Sequence, residues 1–150
     1  MNNSQFSILN FQLNYDELSA LDKLCVGSEG WSAEDFRSEA AKSGGIVLAA
    51  YDGDCLAGLI AGFTAADTGE ILTVATAPEY RRMGVARMLM ETFLAMIPED
   101  VENIALEVRS SNFAAISLYE SFGFVKAGVR KRFYHDPVED ADVMVLNRDK

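Results

Sequence analysis

Near the middle of the chain a strand pattern runs through a short basic loop into a helix pattern. The strand pattern covers Ile71 to Thr76, the helix pattern covers Val85 to Ile97, and the loop includes Arg81-Arg82-Met83-Gly84. The first N–H groups of a helix lack intrahelical acceptors, and the helix dipole adds partial positive charge at the same end. Gly84 lets a ligand approach the backbone closely, and the loop arginines add positive charge. This unit therefore predicts an anion site that suits a diphosphate.

Two common phosphate-binding motifs are absent from the sequence. It contains no Gly-x-x-x-x-Gly-Lys-Ser/Thr, and no Gly-x-Gly-x-x-Gly follows a strand pattern. A P-loop NTPase, a kinase and a Rossmann dehydrogenase are therefore disfavoured.

The composition predicts a single domain over residues 1–150. The chain is 49% hydrophobic and 24% charged, which is enough apolar material for a core. Its apolar runs are too short to span a bilayer, and the polar start Met1-Asn2-Asn3-Ser4 does not resemble a secretory signal. The net charge of −10 disfavours nucleic acid. We therefore expect a cytoplasmic protein without a membrane or nucleic-acid partner.

The cysteines and the histidine do not indicate a metal or redox site. Cys25 and Cys55 lie far apart in apolar surroundings, which predicts two small buried thiols rather than a disulfide or a metal site. His135 is the single histidine, which disfavours a His-based metal site and a Ser-His triad. We expect no metal.

Periodicity and turn signals predict a mixed succession of strands and helices. Ser32 with Asp35 is typical of a helix start, Asn112 caps a later helix that runs to Phe122, and Gly123 ends it. The predicted elements, in order, are a strand (6–11), two helices (15–25 and 33–42), three strands (46–51, 56–64 and 70–76), a helix (85–97), a strand (104–108), the helix capped by Asn112, and two strands (124–129 and 142–146).

Two blocks of the sequence, in register with each other, resemble the acetyl-CoA site of the GCN5-related N-acetyltransferases (GNAT). The first is the loop Arg81 to Ala86, in which Ala86 stands where a second glycine is frequent. The second runs from Glu107 to Phe124 and reads Glu-Val-Arg-x-x-Asn-x-x-Ala-x-x-x-Tyr-x-x-x-Gly-Phe. The predicted order of elements also matches that family over nearly the whole chain. The resemblance implies an α+β GNAT fold, with a mixed, mostly antiparallel, twisted sheet flanked by helices.

Three local matches resemble one branch of the family, the RimI-type ribosomal-protein alanine N-acetyltransferases. They are Gly30-Trp31-Ser32-x-x-x-Phe36, the block ending at Phe124, and Arg130-x-x-Phe133-Tyr134. Thr73 and Ala77 depart from this type, which often has Asn and Asp at these positions.

The resemblance also implies roles for individual residues. Glu107 is the proton acceptor and Tyr119 the proton donor, and a backbone N–H near Val74 stabilises the oxyanion. The residues implied to line acetyl-CoA are Val74, Ala75, Thr76, Arg82, Met83, Gly84, Val85, Ala86, Arg87 and Asn112. Trp31, Phe133 and Tyr134 are expected to wall the acceptor entrance.

The residues alone leave other interpretations open. Strand alternation makes Glu107 a solvent-facing residue, and the helical stripe that contains Tyr119 is typical of core packing. The aromatic entrance residues also suit a core.

The predicted function is acetyl transfer from acetyl-CoA to the N-terminal α-amine of a protein, with a ribosomal protein as the leading acceptor. An acetyltransferase for a small-molecule amine, and an acyl-CoA-binding module without turnover, are the alternatives. The sequence makes no prediction about oligomeric state.

Overall fold

The computed structural model describes residues 5–148, and the polar start 1–4 lies outside the described residues. The elements follow the predicted order. They are β1 (Ser7–Leu9), α1 (Tyr15–Val26), α2 (Ala33–Ala41), β2 (Gly45–Asp52), β3 (Cys55–Ala65), β4 (Thr68–Thr76), α3 (Val85–Met96), β5 (Asn103–Arg109), α4 (Phe113–Ser121), β6 (Val125–His135) and β7 (Val138–Asn147). Short 3₁₀ turns occupy Gly27–Glu29 and Pro78–Tyr80.

Over residues 5–148 the strands form one seven-stranded sheet in the order β1-β2-β3-β4-β5-β7-β6. Neighbouring strands are antiparallel except β4 and β5, which are parallel. The α+β class and the mostly antiparallel sheet are therefore confirmed.

The sheet is covered by helices on both faces. On one face, Leu18 and Leu21 of α1 and Phe36 of α2 pack against one set of alternating strand residues. On the other, Leu89 and Phe93 of α3 belong to a second core with the opposite set of strand residues. This two-sided burial explains the long apolar runs in the central strands.

Local side-chain chemistry fixes three of the helix starts. Asn14 and Asn112 accept hydrogen bonds from the N–H groups three residues later, and Ser32 with Asp35 forms the predicted capping box. Helix α3 begins instead after Gly84, whose φ is 81°, and has no side-chain cap. Its first-turn N–H groups therefore remain available to an outside anion.

The two parallel strands separate halfway along their length. Their pairing runs from Thr68 opposite Asn103 to Ile71 opposite Leu106 and goes no further. The next residues of β4 stay paired with β3 alone, after an irregularity in the β3–β4 register. A gap therefore opens in the middle of the sheet between the ends of β4 and β5.

Some sequence expectations were wrong in detail. The last two strands are longer than predicted, because β6 is an exposed edge strand held by backbone pairing to β7 and lacks an apolar alternation. The first strand is shorter than predicted, at Ser7–Leu9. Cys55 is exposed because it follows the turn at Gly53, and Cys25 is only half-buried, so neither is the buried thiol expected. No helix within residues 5–148 is long and apolar enough to cross a membrane.

Candidate active site

A cavity of about 640 Å³ lies between the start of α3, the end of β4 and helix α4. We call it the α3–α4 cavity. Every residue that the sequence predicted for the cofactor, apart from Met83, lines it. The side chain of Met83 packs against the core on the α3 side of the sheet instead.

The entrance to α3 gives this cavity a positively charged end. Arg82 has a φ of 65° and Gly84 a φ of 81°, so the loop turns sharply just before the helix. Arg81, Arg82 and Arg87 all line the cavity. Arg87 also donates a 3.1 Å hydrogen bond to Ser121 Oγ and lies over the ring of Phe122, which ties α3 to α4. The charge and the uncapped N–H groups together suit a diphosphate.

A second, smaller space of about 210 Å³ occupies the gap between β4 and β5. We call it the central cleft. It shares Cys25, Val26, Val74, Asn112 and Tyr119 with the α3–α4 cavity. Tyr119 therefore stands where these two spaces meet.

A third space of about 600 Å³, the outer cleft, continues from the other side of the gap. It shares Glu29, Trp31, Leu72, Glu107 and Tyr134 with the central cleft. Glu107 therefore stands where the central and outer clefts meet. The three spaces form one path, with the two predicted proton-transfer residues at opposite ends of its middle section.

The carboxylate of Glu107 is partly shielded and paired. Its side chain is 19% exposed, and Arg130 Nε donates a 3.0 Å hydrogen bond to Oε2. The side chain of Arg130 itself is mostly exposed. The interpretation of Glu107 as a freely solvated strand residue does not describe this position.

Glu70 is an acidic neighbour of Glu107 on the adjacent strand β4. It pairs with Ala105 across the parallel strands, two residues before Glu107, and lines the outer cleft. Burial and the charge of Glu107 raise the pKa of Glu70. Glu29, whose Oε2 accepts a hydrogen bond from the His135 N–H, lies on the same cleft. These carboxylates favour a cationic ligand in the outer cleft.

Tyr119 is both a core residue and a cavity residue. It is 7% exposed, and its ring packs near Phe124 with a centroid distance of 6.1 Å. Burial, with a smaller contribution from Tyr134, raises the pKa of Tyr119. The phenol therefore keeps its proton throughout the physiological range and has a proton to give.

The backbone at Val74 faces the gap. The Ala77 N–H bonds the Ala57 carbonyl of β3 at 2.8 Å. In an antiparallel strand alternate residues direct their N–H groups to the same neighbour, so the N–H of Ala75 also points to β3 and that of Val74 points away. The Val74 N–H is thus directed into the central cleft, which it lines.

The three predicted entrance aromatics surround the outer cleft. Trp31, Phe133 and Tyr134 all line it. The ring of Trp31 lies 5.1 Å from that of Phe36, and Arg109 lies 4.3 Å over the Tyr134 ring. Arg109 also donates to the Pro137 and Asp136 carbonyls, so it anchors the β6–β7 turn that directly follows the strand segment with the aromatic pair.

Sequence reasoning missed Asp22, a buried acidic residue of the central cleft. It is 1% exposed, and its oxygens accept from the Thr73 hydroxyl at 2.6 Å and the Trp31 N–H at 2.8 Å. The available signal was its place within the apolar stripe of α1, four residues after Leu18. Glu29, Glu70 and Cys25 were also missed, because only the folded chain brings them to the path. Residues 5–148 contain no group of His, Cys, Asp or Glu arranged to hold a metal.

Comparison with known proteins places this arrangement in one family. The model of the acetyltransferase (GNAT) family matches residues 12–124. The [ribosomal protein bS18]-alanine N-acetyltransferase of Escherichia coli K12 is 41% identical over 83 residues, which are 53% of this chain and 56% of that protein. The chain thus spans little more than half the length of that relative.

A longer match and a solved structure agree. The N-alpha-acetyltransferase RimI of Mycobacterium tuberculosis is 33% identical over 131 residues, covering 85% of this chain and 80% of that protein. The crystal structure of the E. coli ribosomal-protein-S18-alanine N-acetyltransferase superposes with a TM-score of 0.84 at 27% identity, covering 97% of this chain and 95% of that one. The expected fold is therefore confirmed.

Proposed function

The chain belongs to the acetyltransferase (GNAT) family, and we propose that it transfers the acetyl group of acetyl-CoA to the N-terminal α-amine of a protein. The observation that carries the proposal is the continuous path through the sheet. Its middle section has Tyr119 at the junction with the α3–α4 cavity and Glu107 at the junction with the outer cleft.

Acetyl-CoA is proposed to bind in the α3–α4 cavity. Its diphosphate would meet the first turn of α3 and the arginines Arg82 and Arg87, where the helix lacks a side-chain cap. The end of β4, from Val74 to Thr76, and Asn112 would line the rest of the cofactor up to the thioester. The thioester carbonyl would then lie near the Val74 N–H, which stabilises the oxyanion of the tetrahedral intermediate.

The acceptor amine is proposed to enter from the outer cleft and give its proton to Glu107. An N-terminal ammonium has a pKa of about 7.7 to 8.0, so removing its proton at pH 7 costs about 1 kcal/mol, against about 4 to 5 kcal/mol for lysine. A carboxylate within hydrogen-bond reach, directly or through one water, can offset the cost of about 1 kcal/mol for deprotonating an α-amine. The α-amine is therefore the better match to this base.

The nitrogen lone pair then attacks the thioester carbon, and collapse of the intermediate breaks the C–S bond. The leaving thiolate, whose thiol has a pKa of about 8.5, takes the proton of the Tyr119 phenol, and the second proton that the acceptor nitrogen loses on becoming an amide restores that phenol. Attack in a ternary complex is favoured because the central cleft joins the α3–α4 cavity to the outer cleft, and within residues 5–148 the only cysteine that lines these spaces is Cys25. Cys25, which borders the junction, has its Sγ 3.4 Å from the Thr76 carbonyl.

The proposed acceptor is a ribosomal-protein N-terminus, as the name of the E. coli relative suggests for that protein. The aromatic walls Trp31, Phe133 and Tyr134 and the carboxylates of the outer cleft suit an extended peptide with a leading ammonium. A cytoplasmic location and a single domain over residues 1–150 complete the proposal.

The test is acetyl transfer to a panel of short peptides that have a free or a chemically blocked N-terminus, each with and without lysine. CoA release is measured together with initial velocities at varied concentrations of both substrates. The proposal predicts turnover of the free N-termini with intersecting double-reciprocal lines. Turnover of small amines alone would replace the acceptor, and parallel lines would exclude the ternary complex.

A further inference from the structure

The backbone of Trp31 is held from both sides by buried polar side chains of α1. Its N–H donates to Asp22 Oδ2 at 2.8 Å, and its carbonyl accepts from Ser19 Oγ at 2.7 Å. Ser19 and Asp22 are three residues apart on the helix and are 8% and 1% exposed. Three-residue spacing places them side by side on the helix, so together they fix the backbone of Trp31 in the loop between α1 and α2.

Asp22 also reaches the strand that borders the central cleft. Its Oδ1 accepts from the Thr73 hydroxyl at 2.6 Å. Thr73 lies on β4 beyond the last residue paired with β5, immediately before Val74. One carboxylate thus joins the loop that walls the acceptor path to the strand that presents the oxyanion N–H.

The loop approaches the helix so closely that side chains are excluded there. A Cβ on Gly30 would lie 2.7 Å from the backbone of Lys23, next to Asp22. The Trp31 ring packs on Phe36 of α2, so the indole has a fixed backing as well as a fixed backbone. The contacts therefore determine where the Trp31 wall stands relative to Glu107.

We infer that Asp22 is a positioning residue of the acceptor site, which holds Trp31 and Thr73 in register across the cleft without itself touching the reacting atoms. Both carboxylate oxygens are engaged by protein groups, and the contact runs through buried hydrogen bonds. Leaving such groups unpaired is costly, so the geometry is strongly preferred. The inference rests on the proposed function, because it assigns these walls to the acceptor.

The hydrogen-bonding groups themselves allow a discriminating set of variants. Asp22→Asn can still accept from the Trp31 N–H, and its amide can donate to the Thr73 hydroxyl, which also accepts. Asp22→Leu removes both bonds while keeping a side chain that branches at Cγ. Thr73→Val removes one bond, and Thr73→Ser retains it. Asp16→Leu, at an exposed position of the same helix, is the matched control.

The first measurement is the steady-state kinetics of these variants with a peptide acceptor. Asp22→Leu and Thr73→Val are expected to lower kcat/KM for the peptide on the order of tenfold, mainly through KM, because the wall of the acceptor path moves. Their affinity for acetyl-CoA, measured by calorimetry, is expected to equal that of the wild type. The kcat/KM for the peptide is expected to stay within about twofold of the wild-type value in Asp22→Asn, Thr73→Ser and Asp16→Leu.

The second measurement does not depend on activity. Trp31 is the single tryptophan of the chain, so intrinsic fluorescence reports on the clamped residue alone. Asp22→Leu is expected to raise the acrylamide quenching constant about twofold, because releasing the loop increases local opening. Asp22→Asn and Asp16→Leu are expected to match the wild type.

The inference is overturned if folded Asp22→Leu and Thr73→Val both keep the wild-type KM and Asp22→Leu also keeps the wild-type quenching constant. It is also overturned if Asp22→Asn is as impaired as Asp22→Leu, since charge would then be the essential property. If Asp22→Leu does not fold, the KM of Thr73→Val for the peptide decides the inference. If the wild type acetylates no peptide, the proposed function fails while the fluorescence series still decides whether Asp22 holds the Trp31 loop.

Discussion

Replacing Glu107 with glutamine should produce an activity defect that shrinks as the pH rises. The substitution keeps the shape and polarity of the side chain but removes the proton acceptor. Its partner Arg130 has a side chain that is 59% exposed, so it can be solvated when the carboxylate is lost. We therefore expect the fold to be retained, and we expect the defect to lie in deprotonation of the acceptor.

The size of the change follows from the ionisation of the acceptor. For an α-amine with a pKa of about 7.8, the free amine is about 0.14 of the total at pH 7 and about 0.94 at pH 9. Glu107→Gln can use only the free amine, whereas the wild type also deprotonates the bound ammonium. The ratio of wild-type to variant kcat/KM should therefore fall about sevenfold from pH 7 to pH 9. Burial raises the pKa of Tyr119, so loss of its proton does not distort this range.

The assay is the initial rate of CoA release with a saturating acetyl-CoA concentration and a peptide that lacks lysine. Glu91→Gln, an exposed position on α3, serves as the matched control and should keep the wild-type profile. A wild-type to Glu107→Gln ratio that is constant between pH 7 and pH 9 would refute the role of Glu107 as proton acceptor.

Three further predictions test other parts of the account. Tyr119→Phe keeps the ring packing near Phe124 and should lower kcat about 10²-fold with little change in acetyl-CoA affinity, and a near-normal kcat would contradict the proton-donor role. Arg82→Ala should weaken acetyl-CoA binding by roughly 10- to 100-fold in calorimetry, as expected for a lost charged hydrogen bond, and equal affinity would remove Arg82 from the site. Burial raises the pKa of Asp22 in the folded protein, so the folded state holds this proton to higher pH than the unfolded chain. The wild type should therefore lose stability relative to Asp22→Asn as the pH rises from about 4 through that raised pKa, and parallel urea midpoints across pH 4 to 8 would argue against it.

Local chemistry carried most of the fold prediction. The predicted helix starts at Ser32 and Asn112 depend on side chains within one turn, and the α3 start depends on the flexibility of Gly84. These features are readable because each interaction spans only a few residues. The length of β6 was not readable, since its residues pair with β7 through the backbone while both faces are largely exposed.

The site residues also differ in whether the sequence could reveal them, according to whether their contacts are local or long-range. The α3 loop and the block from Glu107 to Tyr119 are contiguous motifs, so their residues could be named from the sequence. The gap between β4 and β5 depends on where the parallel pairing ends, which no local pattern encodes. Asp22 lies 51 residues from Thr73, and the contact exists only because α1 packs across β4. Such buried, long-range polar contacts require the folded structure.

The most direct test of the central claim uses one peptide that carries both a free α-amine and an internal lysine. After reaction with acetyl-CoA, tandem mass spectrometry locates the acetyl group on the peptide. The account predicts a single acetyl group on the N-terminal nitrogen, formed by the wild type and strongly reduced in Tyr119→Phe. Acetylation of the lysine instead, or no acetylation at all by a protein that binds acetyl-CoA, would contradict it.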